Sequence, residues 1–332
     1  MTGLAARIAA LSDLVGPPGR EAPVRAQLRA WLPAGAEARE DALGSLLVRF
    51  SPRRPSRRVL VLLALDEPAA AVTHLDAHGR AALAPLGALP AALAGRRVVL
   101  PSGVRAAVGV RGADPDADGP LDFDRLYLDF GLRRRVEAAR VCAVGDAVVP
   151  DVRAELLPGG ALCGKALGSR AACAAALRAC AGGVRDLRAD VTLAFVAQAA
   201  VGPRGVPAVV AQCPADLILS VGPAAAAEGR RPRGGEVRLG GGAALIVADQ
   251  GLLASAPALD ALGQAAARAG LELQAAVADP GSAAAGAALI AAAGVPAGAL
   301  AIPLRHPGTA CEVCSPEDVA AVAAVLGALL RL

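Results

Sequence analysis

Seven apolar residues in a row, Val59-Leu60-Val61-Leu62-Leu63-Ala64-Leu65, stop abruptly at Asp66-Glu67-Pro68. An uninterrupted apolar strand is stable only with both faces covered, which is the condition of a parallel strand inside an α/β layer structure. Its polar end marks the carboxyl edge of such a sheet, where open α/β folds place their sites. The remainder of the chain agrees with this reading. After Gly159-Gly160 the periodicities alternate: helix 169–181, strand 190–197, helix 204–212, strand 216–221, a strand near 244–247, helix 257–269, strand 271–277, helix 283–293, strand 299–303 and helix 316–331. Such alternation predicts a mostly parallel or mixed sheet with helices on both faces. The opening predicts helix, turn, helix: Leu4, Ile8, Leu11 and Leu14 recur at helical spacing, Gly16-Pro17-Pro18-Gly19 interrupts, and Glu21 to Leu32 resumes. Short strands are expected near Ala38 and over 46–50.

Between Ala69 and Asp151 the character changes to short β-like pieces separated by turn signals at His78-Gly79, Pro101-Ser102-Gly103, Asp114–Gly119 and Gly145-Asp146. The expected organisation is therefore a discontinuous α/β domain, 1–68 and 158–332, interrupted by a β-rich insertion, 69–157. A chain of 332 residues is long enough for two such units. Hydrophobic residues make up 55% but aromatic residues only 2%, so the core must come from Leu, Val, Ile and close packing on Ala.

With 34 basic and 30 acidic residues the net charge is +4, a balance that predicts neither a nucleic-acid face nor a membrane surface. The Arg clusters Arg53–Arg58, Arg133–Arg135 and Arg230–Arg233 read as solvated edges. No export signal is visible, and the Ala-rich stretch 284–293 is too short to span a bilayer. Seven Cys, an odd number, predict reduced thiols and a cytoplasmic protein.

Several short words then occur in a fixed order: Leu11-Ser12-Asp13-Leu14-Val15-Gly16-Pro17-Pro18-Gly19-Arg20-Glu21, Ala42-Leu43-Gly44-Ser45-Leu46, Leu126-Tyr127-Leu128-Asp129-Phe130-Gly131, Val144-Gly145-Asp146, Gly164-Lys165-Ala166-Leu167, Gln198 with Gly202-x-Arg204-Gly205, Ile302-Pro303-Leu304-Arg305 and Glu312-Val313. In this order they resemble the glutamyl and deblocking aminopeptidases, the tetrahedral metallo-aminopeptidases of peptidase family forty-two, over nearly the whole chain. The resemblance implies a zinc-peptidase-like α/β/α sandwich with a mixed sheet and an inserted small β-barrel or PDZ-like dimerisation domain. It also implies two metal ions held by two His and three carboxylates, with a separate Glu as general base. Paired cations polarise a scissile carbonyl and acidify a bridging water, whose proton the Glu takes.

Carried over residue by residue, the words keep their frames and lose those groups. The first His position is Ala64, the bridging Asp is Gly168, the base and the adjacent ligand are Ala199 and Ala200, the later Asp is Ser220, and the last His is Gly308. With 30 Asp and Glu, 3 His and 7 Cys in the chain, unselected drift would leave such neutral residues. They argue against the inherited reaction without arguing for a new one.

Asp66, Glu67, Arg170, Arg305, His306 and Glu312 remain as a residual pocket, with an ion pair from Asp66 and Glu67 to Arg170 or Arg305 expected to fasten it. Cys311-x-x-Cys314 has the spacing of half a zinc site or of a redox pair, but four zinc ligands are not in view. His74 and His78 are four apart, yet His78-Gly79 reads as a turn. Leu239-Gly240-Gly241-Gly242-Ala243 lacks the Lys-Ser/Thr of a phosphate loop. No catalytic residue, metal or cofactor is assigned. The expectation is a catalytically inactive homologue, a pseudoenzyme acting as an assembly, scaffold or ligand-binding subunit. It would form a homo-oligomer, dimer or dodecamer, or a hetero-oligomer with another protein. The alternative is a hydrolase or peptidase with relocated catalytic residues.

Overall fold

The computed structural model describes residues 3–87, 89, 92–112, 122–228, 237–277, 284–291 and 294–332. The Arg230–Arg233 cluster and the Asp114–Gly119 turn signal lie outside them. Helices α1 (Leu4–Ser12) and α2 (Ala22–Ala30) open the chain, followed by β1 (Glu37–Glu40), β2 (Leu46–Phe50) and β3 (Arg58–Ala64). Next come β4 (Ala69–Leu75), β5 (Ala81–Leu86), β6 (Arg97–Val99), β7 (Arg105–Val110), β8 (Leu126–Asp129), the one-turn α3 (Arg135–Ala138) and β9 (Ala147–Pro150). The remainder is β10 (Glu155–Leu156), β11 (Leu162–Gly164), α4 (Leu167–Ala179), β12 (Asp190–Val196), α5 (Gly205–Gln212), β13 (Leu217–Ala225), β14 (Ala244–Ala248), α6 (Ala256–Ala269), β15 (Gln274–Val277), α7 (Ala284–Ala291), β16 (Ala297–Arg305), β17 (Glu312–Cys314) and α8 (Pro316–Leu330).

Strands β4 to β9 close into a barrel in the order β4-β5-β8-β7-β6-β9, filled by Val72, Leu83, Val98, Val108, Leu126, Leu128 and Val148. The other strands form one mixed sheet of eleven, with the path β1-β2-β12-β3-β13-β16-β17-β11-β10 and with β14 on β16 and β15 on β14. Its centre, β12, β3, β13 and β16, is parallel. The apolar run that starts at Val59 lies in β3, buried between β12 and β13. One difference from the sequence reading concerns β10: residues 155–156 fall within the expected insertion, but they pair with β11 as the far edge of the sheet.

Alternation along the strands sends side chains to two cores. One face of the sheet, with Val61, Leu63, Leu193, Leu219 and Ile302, packs against α1, α4, α6 and α8. The other, with Leu60, Leu62, Ile218 and Ala299, meets α5 and α7. In α4 the buried Ala171, Ala172, Ala174, Ala175, Ala176 and Ala179 keep the helix surface low. Ala combines the best helix propensity with close approach, and this compensates for the shortage of large rings. Helix α8 starts where Ser315 accepts the Glu317 N–H, with Pro316 in the first turn and Glu317 and Asp318 at the positive end of the helix dipole.

Candidate functional site

The carboxyl ends of β3, β12 and β16 lead into three loops, and a fourth runs from β11 into α4. The described non-glycine residues with positive φ all lie in these connections: Ala166 at 54°, Gln198 at 55° and His306 at 56°. Left-handed backbone at a residue with a Cβ costs on the order of 1–3 kcal/mol and persists only where surroundings impose it. Here the surroundings are buried charges.

Glu67, at 1% exposure, is the hub. Lys165 donates to it from Nζ at 2.8 and 2.7 Å and also reaches the Leu14 carbonyl at 2.7 Å. Arg170, fully buried, donates to Glu67 Oε1 at 3.3 Å and to the Leu65 carbonyl at 2.6 Å. The Gly16 N–H completes the set at 2.9 Å. Burial lowers the pKa of Lys165, opposed by the Glu67 carboxylate and assisted by the neighbouring Arg170 charge.

The other buried acids hold backbone. Four successive N–H groups after β12 are each taken by a side chain: Ala197 by Ser45 Oγ at 3.2 Å, Gln198 by Glu21 at 3.0 Å, and Ala199 and Ala200 by the two oxygens of Asp66 at 3.1 and 2.9 Å. Glu312 receives the Gly168 N–H at 3.0 Å and the Gly308 N–H at 2.7 Å. Burial pushes Asp66 up to about 7 against the pull of the Ala200 N–H, and pushes Glu312 up to about 7 against the N–H groups of Gly168 and Gly308.

The expected residual pocket is thus only partly assembled. Asp66, Glu67, Arg170 and Glu312 are buried and share these loops. Arg305 pairs instead with Glu228 at 2.7 Å, and His306 is exposed. The cation facing Glu67 beside Arg170 is Lys165, and Glu21 and Ser45 complete the clasp on the β12 loop. All three stand within the words quoted above, but a propensity argument gives no reason to single them out.

Of the positions that the family resemblance assigns to ligands and base, Ala64 ends β3, Ala199 and Ala200 sit on Asp66, and Gly168 and Gly308 sit on Glu312. Ser220 does not join them at the strand tips. It pairs with Leu62 and Ala299, two positions inside, and the residue that follows the Val221–Leu63 pair to the level of Ala64 is Gly222. At Gly168 a Cβ would stand 2.9 Å from both Cβ and Cγ of Pro223, so any side chain there requires a shift. The cavity among Glu67, Lys165, Gly308, Thr309 and Glu312 measures about 10 Å³, the space of one water. A cleft of about 420 Å³ opens at the opposite, amino ends of β3 and β12, between Arg39, Arg49, Thr192 and Gln212.

Other sequence candidates have structural partners or positions that account for them. His74 lies on β4 and His78 in the turn held by Asp76, so they share no helix face. The N–H groups of Gly240 and Gly242 donate to the Asp318 carboxylate at 2.8 Å each, so that glycine loop is a cap on α8. Cys314 is buried, whereas Cys311 is half-buried. Among the described residues no group of three or more His, Cys, Asp and Glu is placed to hold a metal ion, and no helix is long and apolar enough to cross a membrane.

A curated protein of Acetivibrio thermocellus named "Putative aminopeptidase" is 26% identical over 287 residues, 85% of this chain and 84% of that relative. The TET aminopeptidase from Thaumarchaeota archaeon SCGC AB-539-E09 superposes with a TM-score of 0.89 at 22% identity, covering 99% of this chain and 97% of that one. The Pyrococcus horikoshii TET1 peptidase, described as assembling into a tetrahedron or a large octahedral shell, gives 0.89 at 21% identity over 99% of both chains. Identities this low establish the shared fold. The family model for M42 glutamyl aminopeptidases matches residues 44–325, and the chain belongs to that family.

Proposed function

We propose that this chain is a catalytically silent member of its family, a homo-oligomeric scaffold whose former metal site is closed by its own carboxylates. The observation that carries the proposal is the use of Asp66 and Glu312. Their oxygens are occupied by the N–H groups of Ala199, Ala200, Gly168 and Gly308, four of the six positions that the family resemblance assigns to ligands or base.

The residues present do not fit a paired-cation centre. Divalent cations of this kind need several His or carboxylate donors converging on one point. The side chains at Ala64, Gly168, Ala199, Ala200 and Gly308 offer none, and Ser220 is set back from the tips. Pro223 occupies the space into which a side chain at Gly168 would grow. Clustered carboxylates without cations would repel one another. Here Glu67 faces two cations and the others face backbone dipoles. Assembly is proposed from the relatives described as tetrahedral, octahedral or dodecameric.

The test is elemental analysis of protein incubated with zinc and cobalt and then desalted, together with release of N-terminal residues from a peptide panel. The expected outcome is no stoichiometric metal and no release, with a mass in solution of more than one chain. Two metal equivalents with metal-dependent release would overturn the proposal. Metal-independent release abolished by Asp66→Asn or Glu312→Gln would support relocated chemistry instead.

A further inference from the structure

Two cysteines 148 positions apart meet where β11 pairs with β17, one strand in from the β10 edge of the sheet. The register pairs Cys163 with Val313 and Gly164 with Glu312. Cys311, immediately before β17 and two residues before Val313, is thereby brought next to Cys163 across this pairing. Burial raises the pKa of the Cys163 thiol, and the neighbouring Cys311 side chain adds to that rise. Cys311 belongs to the bend before β17 rather than to the strand, and its N–H donates to Thr309 Oγ1 at 3.3 Å. A small closing movement there shifts a loop, not the ladder.

We propose that Cys163 and Cys311 form a reversible modification site, joined as an intramolecular disulfide by exchange with a low-molecular-weight disulfide. One thiolate of the pair attacks a sulfur of the small disulfide, forming a mixed disulfide and releasing one small thiolate. The second cysteine, deprotonated, attacks the protein-side sulfur, forms the Cys163–Cys311 bond and releases the other small thiolate. Two protein thiols are oxidised to one disulfide, and one small disulfide is reduced to two thiols. The cross-link fixes the loop from His306 to Cys311 against β11.

Selectivity follows from the remaining five cysteines, all buried. Burial pushes the Cys142 thiol up to about 11 and those of Cys173, Cys180 and Cys314 up to about 12, and it raises Cys213 as well. Burial raises Cys163 as well, so access separates the pair from these five: Cys163 and Cys311 are half-buried, the others buried. The Cys311-x-x-Cys314 spacing seen in the sequence is therefore not the reactive pair. This inference stands independently of the proposed loss of catalysis.

The experiment treats the folded, reduced protein with oxidised glutathione, blocks the remaining thiols, and maps tryptic peptides without reduction. The expected result is loss of two thiols per chain and a cross-link between the peptide 154–165 and the peptide 306–331. The second peptide carries both Cys311 and Cys314, so variants assign the sulfur: Cys314→Ser should keep the cross-link, whereas Cys311→Ser should abolish it and leave glutathione on Cys163. Unchanged thiols in the parent protein, a stable glutathione adduct on either cysteine without cross-linking, a Cys311–Cys314 bond or a bond between chains would each overturn the proposal.

Discussion

Replacing Glu67 by Gln tests whether buried charge holds the loops together. The carboxylate faces Lys165 Nζ at 2.7 Å and an Arg170 guanidinium nitrogen at 3.3 Å. At an effective dielectric of about 20 these separations correspond to gross attractions of about 6 and about 5 kcal/mol. Removing three ions from water offsets most of that gain, so the pair adds little over apolar side chains of the same volume. Breaking it is different. Gln can still accept the Gly16 N–H through its one oxygen, but its NH₂ then faces the Lys165 ammonium, donor against donor, and two buried cations lose their counter-charge. Stranding buried charge in this way costs roughly 3–5 kcal/mol.

Urea unfolding followed by circular dichroism measures the effect. With a slope of about 3 kcal/mol per molar, Glu67→Gln should lower the midpoint by roughly 1–1.7 M at unchanged slope. Adding Lys165→Met removes one stranded cation, so the double variant should be more stable than the sum of the two single losses by about 1–3 kcal/mol. A midpoint within about 0.3 M of the parent protein, or strict additivity, would refute the reasoning.

Gly168→Asp, which puts a carboxylate where the family resemblance places the bridging Asp, should destabilise the protein by about 1–3 kcal/mol in the same assay, because the new Cβ meets the Pro223 ring at 2.9 Å; a variant as stable as the parent would show that the space is available. For pH, the folded protein keeps protons on Asp66 and Glu312 up to about 7, whereas the ordinary values are 3.8 and 4.5. The folded state binds more protons between those limits, so these two groups stabilise it most below about pH 4 and lose that contribution as the pH rises through about 7. Glu312 accounts for roughly 3 kcal/mol of it at most, and Glu312→Gln should flatten the decline in urea stability between about pH 5 and about pH 8; an unchanged slope would refute the assignment.

Much of the architecture was legible because long elements carry strong periodicity. The run Val59–Leu65 identified β3, and the helices around α4, α6 and α8 were expected within a few residues of their observed ends. The short strands β10, β11 and β17, two or three residues each, have no periodicity to read, and with them went the meeting of Cys163 and Cys311. The neutral residues of the site were readable as letters in a frame, but the depth of Ser220 depended on strand register. The partner of Glu67 was harder still. Arg170 and Arg305 were the expected cations, and which side chain reaches a buried carboxylate depends on loop paths. Arg305 turns to Glu228, while the backbone around left-handed Ala166 places Lys165 on Glu67.

Those loop paths also explain why the acids at the site need no bound cation for their retention. Ala166, Gln198 and His306 each hold an unfavourable φ, and beside each runs backbone whose N–H groups point at Glu312, Glu21 or Asp66. A hydrogen bond contributes about 0.5–1.5 kcal/mol, and about 1.5–3 once the acceptor is ionised, the same order as the conformational cost at one such residue. Several bonds per loop therefore suffice to keep three strained turns in place. The same geometry opposes metal binding by these acids: a metal would have to draw Asp66 or Glu312 away from those N–H groups, release the loops they hold, and leave buried donors unpaired.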